Sequence, residues 1–239
     1  MYTYNKPFNI FIKIMTTKFV SKIIIGTLAI ISLGAAGKFI LDQRSQQKVF
    51  VPKEGVNYTI IDTSSARKQL TKLGIGNNDS FEFFSYSCGH CYALSKNMRT
   101  LEIKTGVNIK QLALNFNTLP LAQMHYTLTH TTGKQAVGFQ RQLFKIAENW
   151  NINDQTKLEK ISELPATYGI KTDDVRSLSL KADDYSNLVN IAFNNLSLQY
   201  TPTLIIKGKY LIKNDSLKSM PQMEKLISHL NGLPTKNQP

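Results

Sequence analysis

Cysteine is nearly absent from this chain: 239 residues contain two, Cys88 and Cys91, with two residues between them. So few cannot build the disulfide framework of a small secreted domain, and they supply only half of the ligands a structural zinc needs. The four histidines, His90, His125, His130 and His229, have no ligand-like spacing that would complete such a site. Met-rich and His-rich tracts are missing too, which argues against a metal-handling adaptor. Acids are absent from the start of the chain, where none precedes Asp42 although Lys6, Lys13, Lys18, Lys22 and Lys38 all lie there. That segment carries much of the net charge of +13. What remains is scattered lysine, with no basic helix and no basic patch interleaved with aromatics, so nucleic acid is not an expected partner. No internal repeat or low-complexity tract is visible, which excludes a solenoid.

The one long apolar run is N-terminal. Ile23 to Leu33 has the length of a signal-peptide core, and Gly34-Ala35-Ala36-Gly37 offers small residues for cleavage. An uncleaved anchor from Phe19 to Leu41 is the alternative, interrupted by Lys38. Residues 1–43 are therefore expected to be a signal peptide or N-terminal membrane anchor that delivers the remainder across the inner membrane, with the positive flank staying cytoplasmic. Met15-Thr16-Thr17-Lys18 reads as a more natural signal start than Met1.

In the exported part, Val56 to Ile61 reads as a short edge strand. Ser80-Phe81-Glu82-Phe83-Phe84 is a nearly continuous apolar run of β-forming residues, the signature of a strand buried on both faces. Cys88-Gly89-His90-Cys91 follows it, and then a helical pattern at Leu94, Met98 and Leu101 that Gly106 ends. Val107 to Phe116 reads as the next strand, so the cysteines sit where a β-α-β unit turns from strand into helix. From Leu119 to Leu198 the pattern is helical: Leu121–His130, Lys134–Asn149, Gln155–Leu164, Thr172–Leu180 and Tyr185–Leu198. That is far more chain than a crossover needs and implies an inserted helical domain. Strands return at Thr203–Ile206 and Tyr210–Ile212, and a last helix carries Met223, Leu226, Ile227 and Leu230 on one face, with Pro221 in its first turn and Gly232 after its end.

Disulfide exchange needs an exposed cysteine with a depressed pKa and a second one to resolve the mixed disulfide. Cys88 at a helix N-terminus meets unsatisfied backbone N–H groups and the positive end of the helix dipole, which favour thiolate over thiol. Cys91, one turn on, lies beneath it. His90 adds a group able to carry a proton or donate to the thiolate, and a stable thiolate makes the disulfide more oxidising.

The run from Phe81 to Tyr92, with Cys88-Gly89-His90-Cys91 inside it, resembles the active-site strand and helix of the bacterial periplasmic DsbA thiol–disulfide interchange proteins. Tyr200-Thr201-Pro202-Thr203, followed by Lys207-Gly208-Lys209-Tyr210, is the second mark of that family. The resemblance runs through most of residues 50–239. It implies an α/β thioredoxin fold, a central mixed sheet flanked by helices, with an inserted all-helical domain: residues 50–118 and 196–239 form the two parts of the thioredoxin-like domain and 119–195 the insertion. It implies a periplasmic protein, a cis bond at Pro202 opposite the cysteines, and Thr201 offering backbone groups to an extended substrate chain. It also implies a DsbB-like membrane oxidase as partner, with no cofactor beyond the redox-active pair.

Three residues depart from the family pattern. Gly89 stands where well-known members have proline, giving the Cys-Gly-His-Cys arrangement of protein disulfide isomerases and implying a less extreme potential. Thr201 resembles the isomerase branch. Gln111 aligns where the family often places a lysine against the buried acid matching Glu82; Lys110 is adjacent but faces the other way. Glu82 has two readings: a carboxyl with a raised pKa that relays protons for Cys91, or a strand residue reaching solvent.

The remaining candidates have plainer readings. His125 and His130 read as core or surface histidines; Trp150, Phe139, Leu143, Phe144 and Ile146 as the core of the insertion; Tyr86 and Tyr92 as an apolar rim around Cys88 or as packing. The leading function is donation of disulfides to reduced or unfolded exported proteins by a monomer. The alternative is an isomerase or reductase kept reduced by a membrane electron donor, disfavoured because no room remains for an N-terminal dimerisation domain. The expected site is Cys88, Cys91, His90, Thr201, Pro202 and Glu82.

Overall fold

The computed structural model describes residues 50–116, 119–131 and 136–234. The expected signal or anchor, residues 1–43, lies outside them. All elements below belong to the unit Val51–Pro239. In chain order they are β1 (Tyr58–Ile60), α1 (Arg67–Lys72), β2 (Ser80–Phe84), α2 (Gly89–Ser95), α3 (Met98–Thr105), β3 (Ile109–Ala113), α4 (Leu121–Thr131), α5 (Ala136–Ala147), α6 (Asp154–Thr167), α7 (Thr172–Asn195), β4 (Thr203–Ile206), β5 (Tyr210–Ile212) and α8 (Met220–Gly232).

The five strands form one mixed sheet in the order β1-β5-β4-β2-β3. β2 and β3 run parallel, as a β-α-β crossover requires, and every other neighbouring pair is antiparallel. All five residues of β2 are buried, because helices cover both faces of the sheet there. Phe81 and Phe83 point to one face, where they meet Leu70 of α1 and Val189 and Phe193 of α7. Glu82 and Phe84 point to the other, where Phe84 joins the core of the insertion with Leu128, Phe139, Leu143, Phe144 and Ile161. The strand that carries the cysteines into position is thus anchored in two cores at once. Truncating one of its phenylalanines would cost about 3–5 kcal/mol.

Glycine matters most at the turn between β4 and β5. Gly208 has φ +65°, and a Cβ there would run into the carbonyl oxygen of Asn77. Gly106 caps α3 in the left-handed conformation, with its N–H on Glu102 O.

The helical stretch differs from expectation in two places. Thr172–Leu180 and Tyr185–Leu198 are not two helices but one, α7, of 24 residues. Residues 181–184 hold neither glycine nor proline, so nothing stops the helix. Its N-terminal half carries Val175 against the insertion core and its C-terminal half carries Val189 and Phe193 against the sheet. Trp150, expected in the insertion core, is 83% exposed. It lies in the turn between α5 and α6, with Lys157 Nζ 5.4 Å from its ring centre, while Phe139, Leu143 and Phe144 form the core as expected. Sequence patterning also gave no sign of α1, and the helix expected after the cysteines is broken between Ser95 and Met98.

Candidate active site

Cys88 is the N-cap of α2, in extended conformation, and its sulfur accepts the N–H of Cys91 at 3.3 Å. A cap residue holds the backbone groups that the first helical turn leaves unpaired, so the strand-to-helix switch itself places donors on this sulfur. The Cys88 thiol also reaches the backbone carbonyl of Thr201 at 3.4 Å. Both cysteines are free thiols; Cys88 is half-buried and Cys91 buried.

Their acidities are split. The thiol of Cys91, the side chain of Thr201 and the N–H groups of Cys91 and His90 all favour the Cys88 thiolate, the Cys91 thiol most of all, and together they pull Cys88 down to about 5 against partial desolvation. Cys91, which donates that hydrogen bond and is itself buried, is pushed well above the ordinary thiol range. One sulfur is therefore an anion at neutral pH and the other a protonated thiol.

Thr201 and Pro202 lie beside the pair, and the Thr201–Pro202 peptide bond is cis. They line a cavity of about 750 Å³ with His90, Leu94, Tyr200 and Met223. His90 is exposed, and what it directs at Cys88 is its backbone N–H. The cavity gives the half-buried sulfur a largely apolar neighbourhood of ligand-pocket size, larger than any single side chain.

Glu82 is 1% exposed, so its side chain does not reach solvent. Burial pushes its carboxyl up to about 8, against the hydrogen bond from Gln111 and together with the negative charge of Cys88. Gln111 sits directly opposite in the β2–β3 register and donates Nε2 to Glu82 Oε2 at 2.7 Å. Lys110 is turned away and pairs with Asp79 at 2.7 Å. The structure thus brings Cys88, Cys91, Thr201 and Pro202 together, with His90 on the rim and Glu82 beneath.

Sequence patterning missed several polar neighbours. His125, buried on α4, is held between the hydroxyl of Tyr86 at 2.8 Å and the carbonyl of Gln111 at 3.3 Å. Burial pushes it down to about 4, which keeps it neutral. Tyr86 is wholly buried and part of the packing; Tyr92 is half-buried and stacks on Phe144 with ring centres 5.2 Å apart. Gln140 of α5 donates to Gln111 Oε1 at 2.9 Å. Glu148, just past α5, places Oε1 3.5 Å from where a Cβ of Gly89 would stand. No local sequence signal marks Gln140 or Glu148, which reach the site only through tertiary packing. Among the described residues, no three His, Cys, Asp or Glu side chains are grouped to hold a metal ion.

A thioredoxin family profile matches residues 68–228, and the chain belongs to that family. Its fold is that of DsbA-type proteins. DsbL from Salmonella enterica serovar Typhimurium superimposes with a TM-score of 0.60 at 16% identity, covering 77% of this chain and 99% of that one. DsbA from Klebsiella pneumoniae gives 0.56 at 17% identity, covering 76% and 95%. A cysteine-to-serine variant of DsbA from Proteus mirabilis, solved with the non-covalently bound peptide PWATCDS, gives 0.53 at 19% identity, covering 75% and 98%. Comparison with curated proteins finds no match.

Proposed function

We propose that this protein is a thiol–disulfide oxidoreductase that donates disulfide bonds to reduced or unfolded exported proteins. The observation that carries the reading is the split pair: an accessible Cys88 pulled down to about 5 over a buried Cys91 held up as a thiol. A client thiolate attacks Cys88 Sγ of the oxidised pair. The new client–Cys88 bond forms as the Cys88–Cys91 bond breaks, and the electron pair leaves on Cys91, which takes up a proton. The client's second thiolate then attacks its own sulfur in the mixed disulfide, and Cys88 departs as a stable thiolate. The client has lost two electrons and the pair has gained two, so no other group is needed in this half-reaction.

The Thr201–Pro202 segment and the cavity beside it are the proposed seat for the client chain, a reading supported by the contact of Cys88 with the Thr201 carbonyl and by the cavity that Thr201 and Pro202 line. Regeneration requires an electron acceptor, for which a DsbB-like membrane oxidase is the proposed partner. The proposed place of action is the periplasm, as a monomer, soluble or tethered by the N-terminal segment; among the described residues, no helix is long and apolar enough to cross a membrane.

The test is the reduction potential of Cys88–Cys91 in glutathione buffers, paired with oxidation of a reduced client by stoichiometric oxidised protein. DsbA itself defines the oxidising end at about −120 mV and thioredoxin the reducing end at about −270 mV. A value toward the first, with client oxidation, supports donation. A value near the second, or reduction of client disulfides instead, overturns it and favours the reductase.

A further inference from the structure

We infer that Gln140, on helix α5 of the insertion, is a positioning residue for the buried acid Glu82 and acts through the side-chain amide of Gln111. A glutamine amide has one accepting end and one donating end. Gln140 Nε2 donates to Gln111 Oε1 at 2.9 Å, which fixes that oxygen toward α5 and leaves Gln111 Nε2 pointing at Glu82 Oε2, at 2.7 Å. The backbone of Gln111 is held separately: its carbonyl accepts from His125 Nε2 at 3.3 Å, and His125 Nδ1 then accepts the hydroxyl of Tyr86 at 2.8 Å. Helix α5 thus determines which end of the Gln111 amide the acid meets, while α4 holds the backbone that carries it.

The orientation has a chemical consequence. A donor facing a carboxyl group favours its ionised form, and an acceptor favours the protonated form. With Gln140 in place, Glu82 meets a donor that partly offsets the burial holding its proton on. Without Gln140, Gln111 is free to turn its oxygen toward a protonated Glu82, and the acid should keep its proton to higher pH. A glutamate at position 140 should reinforce that reversal, because its carboxylate can only accept, and it would draw Gln111 Nε2 toward α5.

The other groups around Glu82 can be accounted for. Tyr86 and Tyr185 are buried with pKa values pushed up, Tyr185 accepting the N–H of Ala113 at 3.0 Å. His125 is neutral above about 4. Lys110 is tied to Asp79 on the other face, and β4 presents Leu204 opposite Glu82. Cys88 and Cys91 are the remaining titrating neighbours, and oxidising them to the disulfide removes both.

The inference rests on the oxidoreductase reading only for its functional consequence. The experiment is therefore a carboxyl-carbon NMR titration of Glu82 in the oxidised protein, comparing the unsubstituted chain, Q140L and Q140E, with E82Q to assign the signal. One neutral hydrogen bond corresponds to roughly half a pKa unit to one unit. Q140L is expected to move the Glu82 midpoint up by about that much and Q140E by at least as much, while thermal unfolding at low pH stays close to that of the unsubstituted chain. The same displacement should appear in the pH profile of client oxidation. Unmoved midpoints in folded Q140L and Q140E, or a loss of stability without a shift, overturn the inference. If the protein oxidises no client at all, the donor reading fails, but the NMR titration still decides the role of Gln140.

Discussion

Replacing Cys91 by alanine or by serine isolates the hydrogen bond that does most to stabilise the Cys88 thiolate. The first cause of its low pKa, about 5, is donation from the Cys91 thiol. A hydrogen bond to a charged partner is worth about 1.5–3 kcal/mol, or roughly one to two pKa units. Water reaching the half-buried sulfur replaces part of the lost bond, so the lower half of that range applies. Cys91→Ala should therefore raise Cys88 to roughly 6–6.5, the N–H groups of Cys91 and His90 and the side chain of Thr201 holding it below the ordinary thiol value. Cys91→Ser keeps an O–H donor in the same place and should leave Cys88 within about half a unit of its starting value. The assay is ultraviolet thiolate absorbance against pH, checked by alkylation rate. The reasoning fails if both variants stay together near 5, which would leave the lowering to the backbone and Thr201 alone, or if serine rises as far as alanine.

Other outcomes follow from the same geometry. Because the folded state holds the Glu82 proton up to about 8 whereas the unfolded chain releases it near 4.5, stability should be full below 4.5, fall as pH rises between those values, and level off above 8. The loss is at most roughly 4–5 kcal/mol, and denaturant unfolding of oxidised protein across pH should show it flattened in E82Q. Glu148 lies against Gly89 and interacts unfavourably with the Cys88 anion, so E148Q should lower the Cys88 pKa and make the disulfide more oxidising, read by thiolate absorbance and glutathione equilibration. W150A, at an 83% exposed position, should change stability by less than about 0.5 kcal/mol, whereas F144A in the insertion core should cost about 3–5 kcal/mol by chemical denaturation.

The parts of the fold and site that could be read from sequence are those determined by local chemistry. Ser80–Phe84 announced a buried strand because helices on both faces need apolar side chains in nearly every position. Cys88 and Cys91 announced themselves through spacing and through the near absence of other cysteines. Thr201 and Pro202 were found by resemblance alone, since a proline before a strand has no local mark of what it faces. Trp150 was misplaced because periodicity shows which residues are apolar, not which turn leaves one outside. The division of α7 failed for a related reason: Lys181-Ala182-Asp183-Asp184 is polar enough to suggest a loop, yet its one apolar residue, Ala182, is buried and keeps the helix packed through its middle. Gln140, His125 and Glu148 reach the site from helices far along the chain, and no local pattern links a glutamine on α5 to an acid on β2.

The split between the two cysteines also bears on the direction of exchange. Once Cys88 is tied to a client, the fate of the mixed disulfide is a competition between the client's second thiolate, which completes donation, and Cys91, which would return the client reduced. Attack requires a thiolate, and Cys91 no longer has Cys88 to donate to at that stage. Burial remains, and burial alone raises a thiol. The acid beneath the site is itself protonated below about 8, so it is a poor acceptor for a Cys91 proton at neutral pH. Both effects slow the return path while leaving the exposed client thiol free to ionise. The bias should weaken as pH rises through 8, where an ionised Glu82 could take that proton. Trapping the client–Cys88 mixed disulfide and following its two products against pH tests this: the reduced-client fraction should climb above pH 8 in the unsubstituted protein and stay flat in E82Q. A fraction that climbs equally in both would mean that Glu82 does not govern Cys91.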